Sequence, residues 1–458
     1  MARKRRRGKV MTDVAVDRYI QQYGAAKEWL PGMGTPWVAA LREEAIDALA
    51  STGFPGKKVE EWKYTNVTPL TKRPFAIARD GGEGIAPHSL APWSFPDLSC
   101  KYAVFINGHF SSALSDLDNL PTGVEVTTLA DILRNRPEVA EKALRRDGYD
   151  SSRAFTALNC ALMTDGAVII LGEGVDSPPL HLLFVNKGGS EQAAFIRNII
   201  IGGRGSRATI IESYAGAEGE SYFTSAVTDI VTEQDARIEH IKVQQEGSSA
   251  YHIGAINADQ HRDSAFISHS ISLGAALART DIDSTLNDEG ASCFLNGLYL
   301  ARDGQHVDHH TRVDHASPRC RSEEIYKGVI DGRARAVFNG KIVIRESAVK
   351  TDARQSNRNL LLSKAGHVDT KPEFEIYADD VQCTHGATVG QLDDEALFYL
   401  QSRGINEERA RDILVKAFVD DILSHIETDA LRARIGEFVT ARLPGAAASE
   451  APDHEQSE

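Results

Sequence analysis

The sequence predicts a mainly β protein, a stacked coil of short strands held between two helical stretches. Three observations carry that reading. From about Cys160, short apolar runs recur at intervals of mostly 13 to 15 residues, with some longer gaps. They are AVIIL (167–171), HLLFV (181–185), FIRNIII (195–201), ATII (208–211), FTSAVTDIV (223–231), RIEHIKV (237–243), YHIGAINA (251–258), AFISHSISL (265–273), CFLNGLYL (293–300) and AVFNGKIVI (336–344). Second, Gly, Asp, Asn and Ser fill the gaps, and no helix-length pattern interrupts them, which means a sandwich, a barrel or a solenoid. Third, several runs alternate: Ala336, Phe338, Gly340, Ile342 and Ile344 share one face of an extended strand. Small inward residues and the lack of two-residue hairpin signals favour a β-helix over a sandwich. In a β-helix each rung pairs only with its neighbours and buries a continuous core.

The chain before this region reads as mostly helical. Val38, Leu41, Ile46 and Leu49 are spaced as one face of an amphipathic helix over 37–49, which Gly53, Pro55 and Gly56 then break. Trp62 and Tyr64 sit among charges in 58–70, as an aromatic anchor between subdomains or as a binding loop. Residues 102–106 read as a strand and 128–145 as one or two helices.

After the strands the texture turns helical again. A helix over 393–402 ends at Gly404, placed to adopt the left-handed cap. Asn406 caps the next helix, with Glu407 and Glu408 at its positive end. Along it Ala410, Ile413, Leu414, Ala417, Phe418 and Ile422 follow helical spacing, and a third helix covers roughly 430–443. The expected division is therefore 1–155 mostly helical (1–10 disordered), 156–388 β-helix, 389–443 helical, and 444–458 a disordered tail.

A chain of 458 residues is too long for one compact core. Its formal charge is −14, although Arg3, Lys4, Arg5, Arg6, Arg7 and Lys9 crowd the first ten residues. The body is thus strongly acidic, which argues against a nucleic-acid platform. No apolar run approaches the roughly 20 residues of a membrane span, and no apolar stretch follows the basic start as a secretory signal requires. Five cysteines, an odd number without a CxxC pair, suit a reducing cytoplasm rather than a disulfide framework or zinc knuckle.

Two clusters carry candidate chemistry. In 306–315 (HVDHHTRVDH), His306, Asp308 and His310 face one way on a strand. They would make either a three-ligand metal site or a hydrogen-bonded structural ladder. Cys383 and His385 are two residues apart, so an extended strand places thiol and imidazole on one face, and Gly386 and Gly390 follow. A nucleophilic pair would also need an orienting group and an oxyanion hole, neither of which is legible. No phosphate loop, nucleophile elbow or dinucleotide fingerprint is present, so the chain shows no nucleotide-hydrolysing machinery.

The segments RAVFNGKIVI (335–344), KTDARQSNRNLLLS (350–363), DTKPEFEIYADDVQCTHGATVGQLD (369–393), LFYLQSRGI (397–405) and EEWKYTNV (60–67) resemble the SufB/SufD iron–sulfur cluster assembly scaffolds. The form of Cys383 to Thr388, with the His-rich 306–315, is more similar to the SufD branch. The resemblance implies a right-handed parallel β-helix between N-terminal and C-terminal helical domains, and a cytoplasmic, non-enzymatic scaffold subunit. It implies pairing with a SufB-like paralogue through the β-helix and docking of a SufC-like ABC ATPase on the C-terminal helices. By position it makes Cys383 and His385 candidate ligands of iron or a transient Fe–S cluster at the partner interface, with no group permanently bound. It makes Ile413, Leu414, Ala417, Phe418 and Ile422 candidates for the ATPase-docking face. An exposed β-helix edge further predicts a homodimer when the chain is alone. Two rivals stand beside it: a β-helix or cupin-like metalloenzyme using His306, Asp308 and His310, and a purely structural stabiliser of the complex.

Overall fold

The computed structural model describes residues 14–81, 85–145, 153–187 and 191–443. The basic leader and the tail from 444 lie outside the described residues. Within them the chain builds two ten-stranded sheets that face each other. Successive strands alternate between the two, from Gln192–Gly202 and Arg207–Gly216 onward to His367–Ile376 and Val381–Gly390. Apart from two antiparallel pairs at the start, Lys101–Ile106 with His109–Phe110 and Val124–Thr128 with Ala167–Leu171, neighbours in a sheet are parallel and in register. His306–His315, for example, pairs along its whole length with Leu277–Leu286 on one side and Arg335–Ile344 on the other. This is a β-helix of about seven turns flanked by helices, the mainly β fold expected from the strand spacing.

The gap residues make the corners. Positive φ recurs at one stacked corner, at Asp235 (60°), Asp263 (54°), Gly290 (79°), Arg319 (59°) and Lys350 (61°). Asp and Gly tolerate the left-handed region better than other residues, which is why they punctuate the strands. Between corners, alternate side chains point into the lumen. Ala336, Phe338, Ile342 and Ile344 are fully buried there.

Helices cover both outer faces. Val14–Ala26, Pro36–Thr52 and Ala154–Leu162 pack on the first sheet against Phe195, Phe223 and Tyr251. Val38, Leu41, Ile46 and Leu49 are the buried face of the second of these, and Gly53 closes it with φ 71°. Buried Arg42 ties that helix down through the carbonyls of Pro31, Ala161 and Met163, each at 2.9 Å. On the second sheet, Glu407–Leu423 and Asp429–Thr440 pack against Ile241, Ile271, Leu298 and Val329. Asn406 accepts from the Arg409 N–H at 2.9 Å, and Gly404 has φ 87°.

The expected boundary at 155/156 falls inside the helix Ala154–Leu162, and the sheets reach further back. Lys101–Ile106 pairs with Leu180–Asn186, and Val124–Thr128 with Ala167–Leu171, so the N-terminal region supplies the first rungs. The last strand ends at Gly390. Six strands outside the counted apolar runs also join the coil: Leu277–Leu286, His306–His315, Arg321–Ile330, Thr351–Leu361, His367–Ile376 and Val381–Gly390.

Candidate functional site at the open end of the β-helix

The coil ends at an unpaired rung. Val381–Gly390 pairs only with Thr351–Leu361, and His367–Ile376 only with Arg335–Ile344, leaving each with a free edge among the described strands. Apolar groups are exposed at this end: Ile376 at 43%, Tyr377 at 63% and Val389 at 46%. Cys383 lies in register with Ala353 and His385 with Gln355, so both face the lumen, as the two-residue spacing requires. The His385 ring stacks on Phe374 at 4.9 Å between centroids, with the planes 20° apart. Cys383 is half-buried against the lumen core. Burial, helped by the Asp352 charge, pushes its thiol up, which favours the protonated form until a cation arrives.

A file that is polar except at Leu295 runs below the rung. Successive strands place His240, Ser268, Leu295, Glu324, Gln355 and His385 in one register row. Glu324 is 1% exposed, and its Oε2 accepts from Thr311 Oγ1 and Gln355 Nε2, both at 2.8 Å. Those two donors are neutral, so desolvation prevails and pushes the carboxyl up to about 7. Gly340 makes room for Gln355, since a Cβ there would collide with its amide. The sequence signal was available but faint. In 321–330, alternation sends Glu323 outward to Arg321 and Glu324 inward.

The His-rich strand has a different task from the three-ligand site considered above. His306, Asp308 and His310 do share the outward face, but the N-terminal segment covers them. Thr65 Oγ1 donates to Asp308 Oδ2 at 2.5 Å and accepts from His306 Nε2 at 2.8 Å. Arg279 Nη1 reaches Asp308 at 3.0 Å and the Glu61 carbonyl at 2.5 Å, while its guanidinium lies 3.7 Å from the Trp62 ring centroid. His310 Nε2 takes the other Asp308 oxygen at 3.1 Å. Arg279 therefore supplies the positive partner that a metal would have supplied. Among the described residues no group of three or more His, Cys, Asp or Glu is arranged to hold a metal ion. Burial would raise the Asp308 carboxyl, but His310 and Arg279 outweigh it and hold it well below the usual range. The other two histidines face the lumen: His309 lies between Tyr299 and Tyr326, and His315 bonds Ser322 at 2.8 Å.

On the helix Glu407–Leu423, the inward stripe is Ala410, Val415, Val419, Ile422 and Leu423. Ile422 is 2% exposed and packs on the sheet, so it is not available to a docking face. Phe418 is partly buried under Lys327, whose Nζ sits 4.5 Å from its ring centroid. Ile413 and Ala417 are exposed and Leu414 is half-buried. Beside them the helix Asp394–Ser402 buries none of its residues, with Phe398 72% and Tyr399 57% exposed. Sequence periodicity missed this pair because adjacent aromatics on so short a helix make no stripe.

Comparison with known proteins agrees with this architecture. The family model described as SUF system FeS cluster assembly, SufBD core domain, matches residues 184–418, and the SufBD protein N-terminal region matches 14–178. The iron–sulfur cluster assembly protein SufD of Escherichia coli is 32% identical over 88% of this chain and 93% of its own length. An iron–sulfur cluster assembly SufBD family protein of Synechocystis is 30% identical over 88% and 90%.

Proposed function

This chain belongs to the SufBD family of iron–sulfur cluster assembly proteins, and from that premise we propose that it is a SufD-type scaffold subunit in which iron or a nascent cluster is cargo. The names of its relatives point to an assembly component rather than to a catalyst. The observation that carries the reading is the open terminal rung, with His385 and Cys383 on its lumen face. Unpaired edges flanked by Ile376, Tyr377 and Val389 suit edge-to-edge pairing with a SufB-like paralogue, and with a second copy of this chain when the paralogue is absent.

At that junction the neutral imidazole of His385 is the leading ligand for iron, oriented by its stack on Phe374. Cys383 is an auxiliary thiol, pushed up by burial and the Asp352 charge, whose proton a bound cation would displace. The group held is transient, a cargo that leaves. Ile413, Leu414 and Ala417, with Phe398 and Tyr399, present the face for a SufC-like ATPase. Among the described residues no helix is long and apolar enough to cross a membrane, compatible with work in the cytoplasm.

Light scattering tests the pairing. The chain with its SufB-like partner is expected to give a heterodimer mass, and alone at micromolar concentration a homodimer mass. Ile376→Asp with Val389→Asp is expected to give monomers in both cases. Undiminished pairing by that double variant would move the interface elsewhere.

A further inference from the structure

A second site lies on the opposite side of the first sheet from the lumen. Where the N-terminal region crosses the sheet it leaves a cleft of about 430 Å³, within the range that holds small ligands. Glu60 and Glu61 form one wall, Arg153 and Thr156 another, and Asn257, Asp281, His310, Arg312, Asn339 and Lys341 line the floor. The far end is Lys371 and Glu373, on the edge strand whose lumen face carries Phe374.

The charges in this cleft are not used equally. Asp281 takes Arg279 at 2.7 Å, Asp283 takes Arg153 at 3.2 Å, and Glu60 and Glu373 share Lys371 at 3.0 and 2.9 Å. By contrast Arg312 and Lys341 stand directly opposite each other on adjacent strands, with Asp283 in register beyond Arg312 and Glu373 beyond Lys341, carboxylates that pair with Arg153 and Lys371. Like charges so placed destabilise a sheet. Among the described residues each makes one ion pair, Arg312 with Asp314 at 3.0 Å and Lys341 with Glu375 at 2.7 Å, and keeps 43% and 35% of its side chain exposed. Asp314 is in any case held by Arg345 at 2.8 Å. The half-buried amide of Asn339, on the same face, makes no hydrogen bond to a described residue.

We propose that the cleft between the N-terminal region and the outer face of the β-helix binds a small oxyanion bearing hydroxyl or amino groups, its carboxylate or phosphate held between Arg312 and Lys341. An oxyanion there relieves the repulsion of the two cations through charge-assisted hydrogen bonds, with the Asn339 amide as a further donor. The ligand's hydroxyl or amino groups then meet acceptors at the other end, Glu61 and the Asn257 carbonyl oxygen. This site is separate from the terminal rung and does not depend on its chemistry.

Isothermal titration of the full-length chain tests it, with citrate as the carboxylate probe and ribose 5-phosphate as the phosphate probe. Saturable one-to-one binding of at least one probe, millimolar or tighter, is expected, and the preferred probe identifies the anion. Arg312→Gln and Lys341→Met are each expected to weaken it about tenfold, the loss of one charged hydrogen bond. Both should leave the ligand-free melting temperature no lower than the parent's, because removing one cation relieves the repulsion, Asp314 keeps Arg345 and Glu375 is at the surface. Arg319→Gln, an exposed site paired with Glu289 outside the cleft, should bind as the parent does. Failure of both probes to saturate, equal binding by the two cleft variants, or equal weakening in the Arg319 control would each overturn the proposal.

Discussion

Glu324→Gln should make this protein more stable at neutral and alkaline pH, and not in acid. The parent carboxyl is fully buried and accepts hydrogen bonds from Thr311 and Gln355, with no cation among those partners. Its folded value of about 7 stands above an unfolded value of 4.5. A group raised in this way contributes stability that is complete below the unfolded value and is lost as pH rises through the folded one. The gap between the two values is worth about 3 kcal/mol at ~1.4 kcal/mol per pH unit. A glutamine oxygen can accept the same two hydrogen bonds and does not titrate. The variant should therefore nearly match the parent at about pH 5 and exceed it by up to about 3 kcal/mol at about pH 9. Urea unfolding followed by circular dichroism at the two pH values measures the difference. An advantage of the same size at both, or none at the higher pH, would refute the claim that an uncompensated buried carboxyl lies beneath the rung.

Arg279→Met leaves Asp308 buried without its guanidinium and should cost about 3–5 kcal/mol in thermal unfolding, with partial recovery in an Arg279→Met/Asp308→Asn double variant. Since the Asp308 carboxyl is held below its usual 3.8, its contribution is present above that value and disappears as pH falls through the depressed one, so the variant should also lose sensitivity to acid. Phe398→Ala with Tyr399→Ala removes side chains that touch no core, so stability should change by no more than about 0.5 kcal/mol. Co-purification of the SufC-like ATPase should nonetheless fall sharply, and intact co-purification would place that surface elsewhere.

Much of the β-helix was legible because its lumen is apolar where the runs were counted. AVIIL at 167–171 is a strand over the same residues, and the alternation in 335–344 matches the buried face. Strands with polar lumens left no such mark. Thr351–Leu361 turns Gln355, Asn357 and Asn359 inward, where Asn357 and Asn359 both bond Tyr299. In 306–315 alternation correctly set His306, Asp308 and His310 on one face, but their partners, Thr65 and Arg279, are remote in sequence. On Glu407–Leu423 the stripe expected from spacing includes the buried Ala410 and Ile422, but packing gives the rest of the core to Val415 and Val419 rather than to Ile413 and Ala417. The pairing of Cys383 with His385 needed only the period of a strand. Their place at an open end needed the coil to stop there.

The account stands on His385 as a ligand rather than a packing group. Co-expression with the cognate SufB-like and SufC-like chains, followed by anaerobic cluster reconstitution read by visible absorbance, measures this directly. His385→Ala is expected to lose the cluster absorbance while the complex still elutes intact on gel filtration. Full absorbance in the variant complex would contradict the account and leave this chain an architectural subunit.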